Sequence, residues 1–372
     1  MSKKLVIIIG TRPEGIKLAP IINAARSKFN QHFKPIVITT GQHTDLLDDV
    51  FALFNISPDY TLTITRETHL LSELQSQLTT SLEQLFKQIQ PDVVMVQGDT
   101  LSTLSGAMAA FYQKIPIAYV ESGLRSGDLY APFPEEANRL MVTKLAQWHF
   151  TPTQRATQAL QNEGITQHVH QVGNTVVDAM QYVTSTDFSD TNRQHPWIEY
   201  KRNDRHMLLV TIHRRENWDA NLDSIMHAVK TLSDTYANQL DIVWITHANP
   251  SLAQKINATL NNISNIFIYP PANYAQLLHL ISLAYIVLTD SGGIQEEAPS
   301  FNAPVLVARD VSERMEGVDA GCATLIGTKI TSIINAISHL IEHPNEHKKM
   351  TGIQNPYGDG TASQQILKVL TH

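Results

Sequence analysis

The sequence predicts an α/β protein of two doubly wound parallel sheets, each in its own domain, with a cleft between them. Three observations carry this. A chain of 372 residues is too long for one comfortable core. Short apolar runs alternate with longer helix-like segments, the pattern of parallel strands wrapped by helices. A polar, aperiodic stretch at 184–206 parts the runs into two sets and reads as a linker region. In the first set, strands are expected at Leu5–Ile9, Pro35–Thr39, Val93–Gln97 and Ile115–Val120, followed by Trp148–Thr151 and His168–Val172. The second set comprises Met207–Ile212, Asp241–Thr246, Asn265–Tyr269, Ile286–Thr289 and Pro304–Val307.

Composition narrows the function. With 42% hydrophobic and 17% charged residues the chain is globular. A net charge of −7 and a pI near 6.1 argue against nucleic acid as the main partner, which would want a basic face. An anionic ligand must then be met by a local cluster of cations. The single cysteine, Cys322, excludes a disulfide framework and a cysteine-based zinc site. Lys3 and Lys4 precede only a short apolar strand, broken at once by Thr11, Arg12 and Pro13, so no signal peptide is expected. No apolar run approaches the ~20 residues of a membrane span, and the expected compartment is the cytoplasm.

Ligands of doubly wound sheets sit at the carboxyl ends of the strands, which makes the residues just after each strand the informative ones. The first strand runs into "IIIGTRPEGIKLAP" at 7–20. A Walker A loop is excluded, because Ile16 separates Gly15 from Lys17 and Leu18 stands where the magnesium-binding hydroxyl belongs. The close glycine pair of a dinucleotide loop is missing too. What remains is strand, turn and helix with Arg12 and Lys17 near a helix N-terminus, which suits a diphosphate; taken alone, an ordinary turn with surface charges fits equally well. Later strand ends carry Gln42 and His43, Asp99 in "VQGDT", Glu121 in "VESGLRSG", His213 in "IHRREN" and His247 in "ITHANP". "TDSGGIQEEAP" is the most readable piece. Ser291, Gly292 and Gly293 leave a strand and open a helix, so free N–H groups and a hydroxyl form a diphosphate cradle, and Glu297 one turn on can accept both hydroxyls of a ribose. "APFPEEANRLM" places Glu135, Glu136 and Arg139 after two prolines. Locally that is ordinary helix-start chemistry; beside Asp99 and Glu121 it offers a third carboxylate.

Taken together, "GTRPEGIKLAP", "GDT", "VESGLRSGD", "PFPEEANR", "HRREN", "LTDSGGIQEEAPS" and "NPYGDG" resemble the non-hydrolysing UDP-N-acetylglucosamine 2-epimerases, in the family's order from residue 9 to residue 360. The resemblance implies a GT-B fold. Its first Rossmann-like domain would span 1–178 and be completed by a C-terminal helix at 357–372; the second would span 179–356. It implies epimerisation at C2 of UDP-N-acetylglucosamine through elimination of UDP, with no cofactor, no required metal and a homodimer, in the supply of surface polysaccharide. The catalytic set falls on Asp99, Glu121, Glu135 and His213. UDP contacts fall on Arg12, His213, Ser291, Gly292, Gly293 and Glu297, with Lys17 and Arg139 at further positions that need cations. A second, regulatory site for the same sugar nucleotide is implied at Gln42 and His43, with His247 as a further candidate. Two departures stand out: the usual "EAGLR" is "ESGLR", which puts Ser122 beside Glu121, and Thr68-His69 replaces an Arg-Gln pair of the regulatory site. The rival readings are a hydrolysing 2-epimerase, a GT-B glycosyltransferase using the same cradle, and a nonenzymatic UDP-sugar sensor.

Overall fold

The computed structural model describes residues 2–41, 44–68, 70–185 and 205–372; side chains of 44–46 are outside the description. The chain forms two compact units, one of Met1–Val183 with Tyr357–His372 and one of Thr184–Pro356. Most of the expected linker, 186–204, lies outside the described residues, while its first residues end a helix and its last opens a strand.

The first unit holds a seven-stranded sheet: β1 (Lys3–Ile9), β2 (Phe33–Thr39), β3 (Tyr60–Thr61), β4 (Val93–Gln97), β5 (Ile117–Val120), β6 (Trp148–Thr151) and β7 (Val169–Gln171), in the order β3-β2-β1-β4-β5-β6-β7. Every pairing is parallel. That arrangement explains the unbroken apolar runs: helices cover both faces of a parallel sheet, so successive side chains are buried on either side. Val6, Ile8, Val94 and Val96 pack with Leu82 and Phe86 of the helix Leu71–Ile89 and with Leu104 and Ala107 of Leu101–Tyr112. On the other side of the chain's path, the helix Arg12–Arg26 meets the final helix Ala362–Leu370. The final segment is tied in by polar contacts. Tyr357 O accepts the Asn174 N–H at 2.6 Å, and the buried Asp178 accepts Ser363 N–H at 2.8 Å.

The second unit repeats the plan with β8 (His206–Thr211), β9 (Leu240–Ile245), β10 (Ile266–Tyr269), β11 (Ile286–Thr289), β12 (Val305–Val307) and β13 (Ala323–Leu325), ordered β10-β9-β8-β11-β12-β13 and parallel throughout. Leu208, Val210, Ile242 and Trp244 form one core face with the helices Ala220–Thr235 and Ile330–Glu342. Both sheets are therefore Rossmann-like and doubly wound, the architecture expected from the sequence. In each, chain order reverses at one place, between β1 and β4 and between β8 and β11. A doubly wound sheet opens its ligand crevice at that switch point. Two short strands, β3 and β13, were not expected, and β7 is shorter than the sequence suggested. Among the described residues no helix is long and apolar enough to cross a membrane.

Candidate active site

In the first unit the switch point is built from the ends of β1 and β4. Thr11 caps the helix Arg12–Arg26, with Pro13 in its first turn and Glu14 at its third position. Gly98 follows β4 with φ +75°, a backbone that only glycine adopts without strain, and turns the chain into Asp99. Tyr119 Oη donates to the Gly98 carbonyl at 2.8 Å and so fixes this turn from below. Burial, reinforced by Asp99, holds that phenol well above its ordinary pKa, so it stays a donor.

Asp99 and Glu121 differ in their surroundings. The Asp99 side chain is 28% exposed. Arg139 reaches its Oδ2 with Nε at 2.9 Å and Nη2 at 2.5 Å, and Asn138 Nδ2 donates to its carbonyl at 2.8 Å. Arg139 gives its remaining nitrogen to Glu136 at 2.9 Å. Glu121, at the end of β5, is 6% exposed and adopts φ +64°, a conformation costing about 1 kcal/mol or more for a residue with a Cβ. Its carboxylate is surrounded by donors: Lys17 Nζ at 2.5 Å and Asn174 Nδ2 at 3.1 Å on Oε1, and Gln97 Nε2 on Oε2. Of the adjacent pair opening the helix Glu135–Leu145, Glu136 is buried and holds Arg139 and the Ser126 N–H. Glu135 is half-buried, and its Oε2 is buried with no hydrogen-bond partner. Three carboxylates thus stand at the carboxyl end of this sheet in three states: Asp99 paired and partly open, Glu121 saturated, Glu135 with a free oxygen.

The cations Lys17 and Arg139, expected to face an anionic ligand, are both turned on carboxylates. Arg12 is half-buried beside the same turn. Ser122, the departure beside Glu121, places its hydroxyl 3.3 Å from Nδ1 of the buried His149. Burial, with Arg125 nearby, lowers the pKa of His149 to about 4, so the ring is neutral at neutral pH.

In the second unit Asp290, fully buried after β11, organises the turn after β8. Its Oδ1 accepts His213 N–H at 2.9 Å; its Oδ2 accepts Arg214 N–H at 3.0 Å and Asn217 Nδ2 at 2.9 Å. Trp218 Nε1 donates to the His213 carbonyl at 3.1 Å, which fixes the His213 backbone from both sides. The His213 ring lies 5.6 Å from that of His247 and Trp218 lies 5.3 Å from His247. His247, grouped by sequence with Gln42 and His43, therefore neighbours His213; Gln42 and His43 lie outside the described residues.

Ser291 precedes the short helix Gly292–Glu297, whose first N–H groups have no intrahelical acceptor. A Cβ at Gly292 would meet the Arg314 guanidinium at 2.5 Å, so that group lies flat against the Gly292 backbone. At Gly293 a Cβ would meet nothing nearer than Glu297 Oε1 at 3.9 Å. The turn thus presents bare backbone, a hydroxyl, a guanidinium and the buried Glu297 carboxylate together. Glu313 supports the arginines: Arg214 Nη2 and Arg309 Nη1 each reach it at 3.0 Å, and Arg314 Nη1 bonds it as well. Burial alone would raise the Glu313 pKa, but Arg314, Arg214 and Arg309 outweigh it and hold the group far below the ordinary carboxylate range. Arg314 and Glu313 follow β12 and so obey the strand-end rule, but no glycine turn marks them. Gln97 and Asn174 carried no such signal; Asp290 follows β11 directly but stands within the Ser291 motif.

A family model described as UDP-N-acetylglucosamine 2-epimerase matches residues 25–371. The UDP-N-acetylglucosamine 2-epimerase of Escherichia coli strain K12 is 41% identical over 375 residues, covering 99% of this chain and 98% of that one. Among solved structures, UDP-GlcNAc 2-epimerase from Neisseria meningitidis bound to UDP-GlcNAc superposes with a TM-score of 0.91 at 38% identity, covering 99% of both chains. An S. aureus co-structure with UDP gives a TM-score of 0.89 at 42% identity, covering 99% of this chain and 96% of that one.

Proposed function

The chain belongs to the UDP-N-acetylglucosamine 2-epimerase family, and from that premise we propose that it interconverts UDP-N-acetylglucosamine and UDP-N-acetylmannosamine without hydrolysis. The observation that carries this reading is the gathering of Asp99, Glu121 and Glu135 at one sheet end, in a chain whose second unit carries a guanidinium-backed glycine turn.

The C2 proton of the sugar is not adjacent to a carbonyl and is far from acidic. Breaking the C1–O bond to UDP first puts positive charge on C1 and acidifies that proton. The leaving diphosphate gains charge as the bond breaks, so donors set in place beforehand lower the barrier; within the second unit Ser291, the N–H groups of Gly292 and Gly293, Arg314 and His213 supply them, and the resemblance assigns Arg12 to UDP as well. Glu297 takes the ribose hydroxyls. A carboxylate then removes the C2 proton to leave 2-acetamidoglucal and UDP. Return of UDP with protonation from the opposite face gives the other epimer, and one base cannot serve both faces. Glu121, enclosed by Lys17, Asn174 and Gln97 with no open face for the sugar proton, is assigned to stabilising charge at C1. Asp99 and Glu135 are assigned to proton transfer.

The finer partners follow the same reading. Phe111, Tyr112 and Met141 are 53%, 56% and 45% exposed and border an apolar groove with Leu104, Met108 and Leu140, which supports covering by a second copy in a homodimer. Regulatory binding of the substrate rests on the resemblance at Gln42, His43 and His247. Supply of surface polysaccharide rests on the resemblance likewise, and work in the cytoplasm rests on the sequence's lack of a leader-like or membrane-length apolar run. Incubating the purified protein with UDP-N-acetylglucosamine and resolving the products tests the proposal. A stable mixture of the two sugar nucleotides is expected; free N-acetylmannosamine with UDP would instead make the enzyme a hydrolase.

A further inference from the structure

Glu14 is a fully buried carboxylate that the chemistry above does not use. It lies in the first turn of the helix Arg12–Arg26, where a negative charge is favoured by the helix dipole. Its Oε2 accepts the N–H groups of Gly10 at 2.6 Å and Thr11 at 2.8 Å, which hold the turn after β1. Its Oε1 accepts Thr100 Oγ1 at 2.5 Å, on the turn after β4, and lies 3.0 Å from Thr103 Oγ1 in the first turn of the helix that follows. Thr100 directly follows Asp99 and caps the helix Leu101–Tyr112; Thr11 directly precedes Arg12. One group therefore spans the two turns of the switch point. The neighbourhood is close-packed, since a Cβ on Gly10 would meet Ser102 Oγ at 2.1 Å.

We propose that Glu14 is a positioning residue that sets Arg12 against Asp99 by tying the β1 turn to the β4 turn. The inference rests on the functional reading above. The site calls for an acceptor on both sides: two backbone N–H groups that cannot turn away, and two hydroxyls that can. The Thr103 hydroxyl has one proton and three acceptors within reach, Glu14, the Gln97 carbonyl at 2.7 Å and Thr100 Oγ1 at 3.2 Å. Through that carbonyl the network touches the residue whose amide holds Glu121. Burial raises the Glu14 pKa, and the four donors oppose that rise. Because the hydroxyls rotate, glutamine fits: its carbonyl serves the two N–H groups and its amide donates to the hydroxyl oxygens. Alanine leaves two buried N–H groups without an acceptor and cuts the tie.

The test compares Glu14→Ala, Glu14→Gln and Thr100→Val with wild type, measured well below each variant's melting temperature. Wild-type turnover carries the functional reading, and the variant-to-wild-type ratio carries this one. An ångström-scale displacement of reacting groups costs about 100-fold in rate. Glu14→Ala is therefore expected to lose kcat by about that factor and to bind UDP more weakly because Arg12 is displaced, whereas Glu14→Gln stays within about fivefold of wild type. A purely structural role would lower the melting temperature and leave kcat alone. Wild-type kcat in Glu14→Ala, or equal losses in the alanine and glutamine variants, would overturn the proposal. If Glu14→Ala does not fold, Thr100→Val decides: a several-fold fall in kcat upholds the tie and an unchanged kcat refutes it.

Discussion

At the residue scale, the three carboxylates are distinguished by what holds them and not by type. Asp99→Ala and Glu121→Ala should each lower turnover by about 100-fold or more, the contribution typical of a positioned proton-transfer or charge-stabilising group, while UDP titrated by calorimetry binds as before. Near-normal rates in either variant would refute the assignment. His149 makes a separate pH prediction. Its pKa is lowered to about 4, so below about pH 6.5 the unfolded chain takes up a proton that the folded chain refuses. Stability should therefore fall as pH drops from 7 toward 4, and His149→Asn should flatten that fall in urea midpoints measured across the range. What the sequence made legible at this scale were the groups that follow strands: Asp99, Glu121, His213 and the Ser291 turn. It did not reveal the residues behind them. Gln97 is the last residue of a buried strand, Asn174 opens a distant helix and Asp290 stands next to the Ser291 turn, fully buried. Each acts through a contact between residues far apart in sequence, which no local spacing encodes.

At the element scale, the strands most easily read were the inner ones. β1, β4, β8 and β11 are buried on both faces, so each is a continuous apolar run. The unread strands, β3 and β13, are sheet edges; Tyr60–Thr61 is exposed and too short to show a pattern, and Ala323–Leu325 carries only three residues. The Ser291 turn gives the test that belongs here. Gly292→Ala puts a methyl where the Arg314 guanidinium rests. The guanidinium is the far end of a long side chain held by Glu296 and Glu313, so it gives way by loosening those pairs, and the fold should survive with a small fall in melting temperature. Losing one charge-assisted contact to a diphosphate costs about 1.5–3 kcal/mol, so UDP affinity should fall by roughly tenfold or more. An unchanged affinity would remove Arg314 from the cradle.

At the scale of the whole molecule, one plan is used twice, and the two copies carry different chemistry. The first sheet end collects carboxylates and the cations that hold them; the second collects backbone donors and arginines around Glu313. Repetition of the fold was legible because strand alternation recurs on both sides of residues 184–206. The division of labour was legible only as a list of strand ends, since sorting it required knowing which ends share a sheet. The exposed face at Phe111, Tyr112 and Met141 gives the assembly prediction: Phe111→Asp with Met141→Asp should convert a dimer to a monomer in sedimentation velocity, and a wild-type chain that sediments as a monomer would refute the homodimer. Carboxylates of the first unit are proposed to remove and replace the C2 proton. This proposal is tested most directly by proton NMR of UDP-N-acetylglucosamine with the purified protein in deuterium oxide. The expected result is UDP-N-acetylmannosamine bearing deuterium at C2, with exchange abolished in Asp99→Ala; epimer formed with its C2 proton retained would contradict the account.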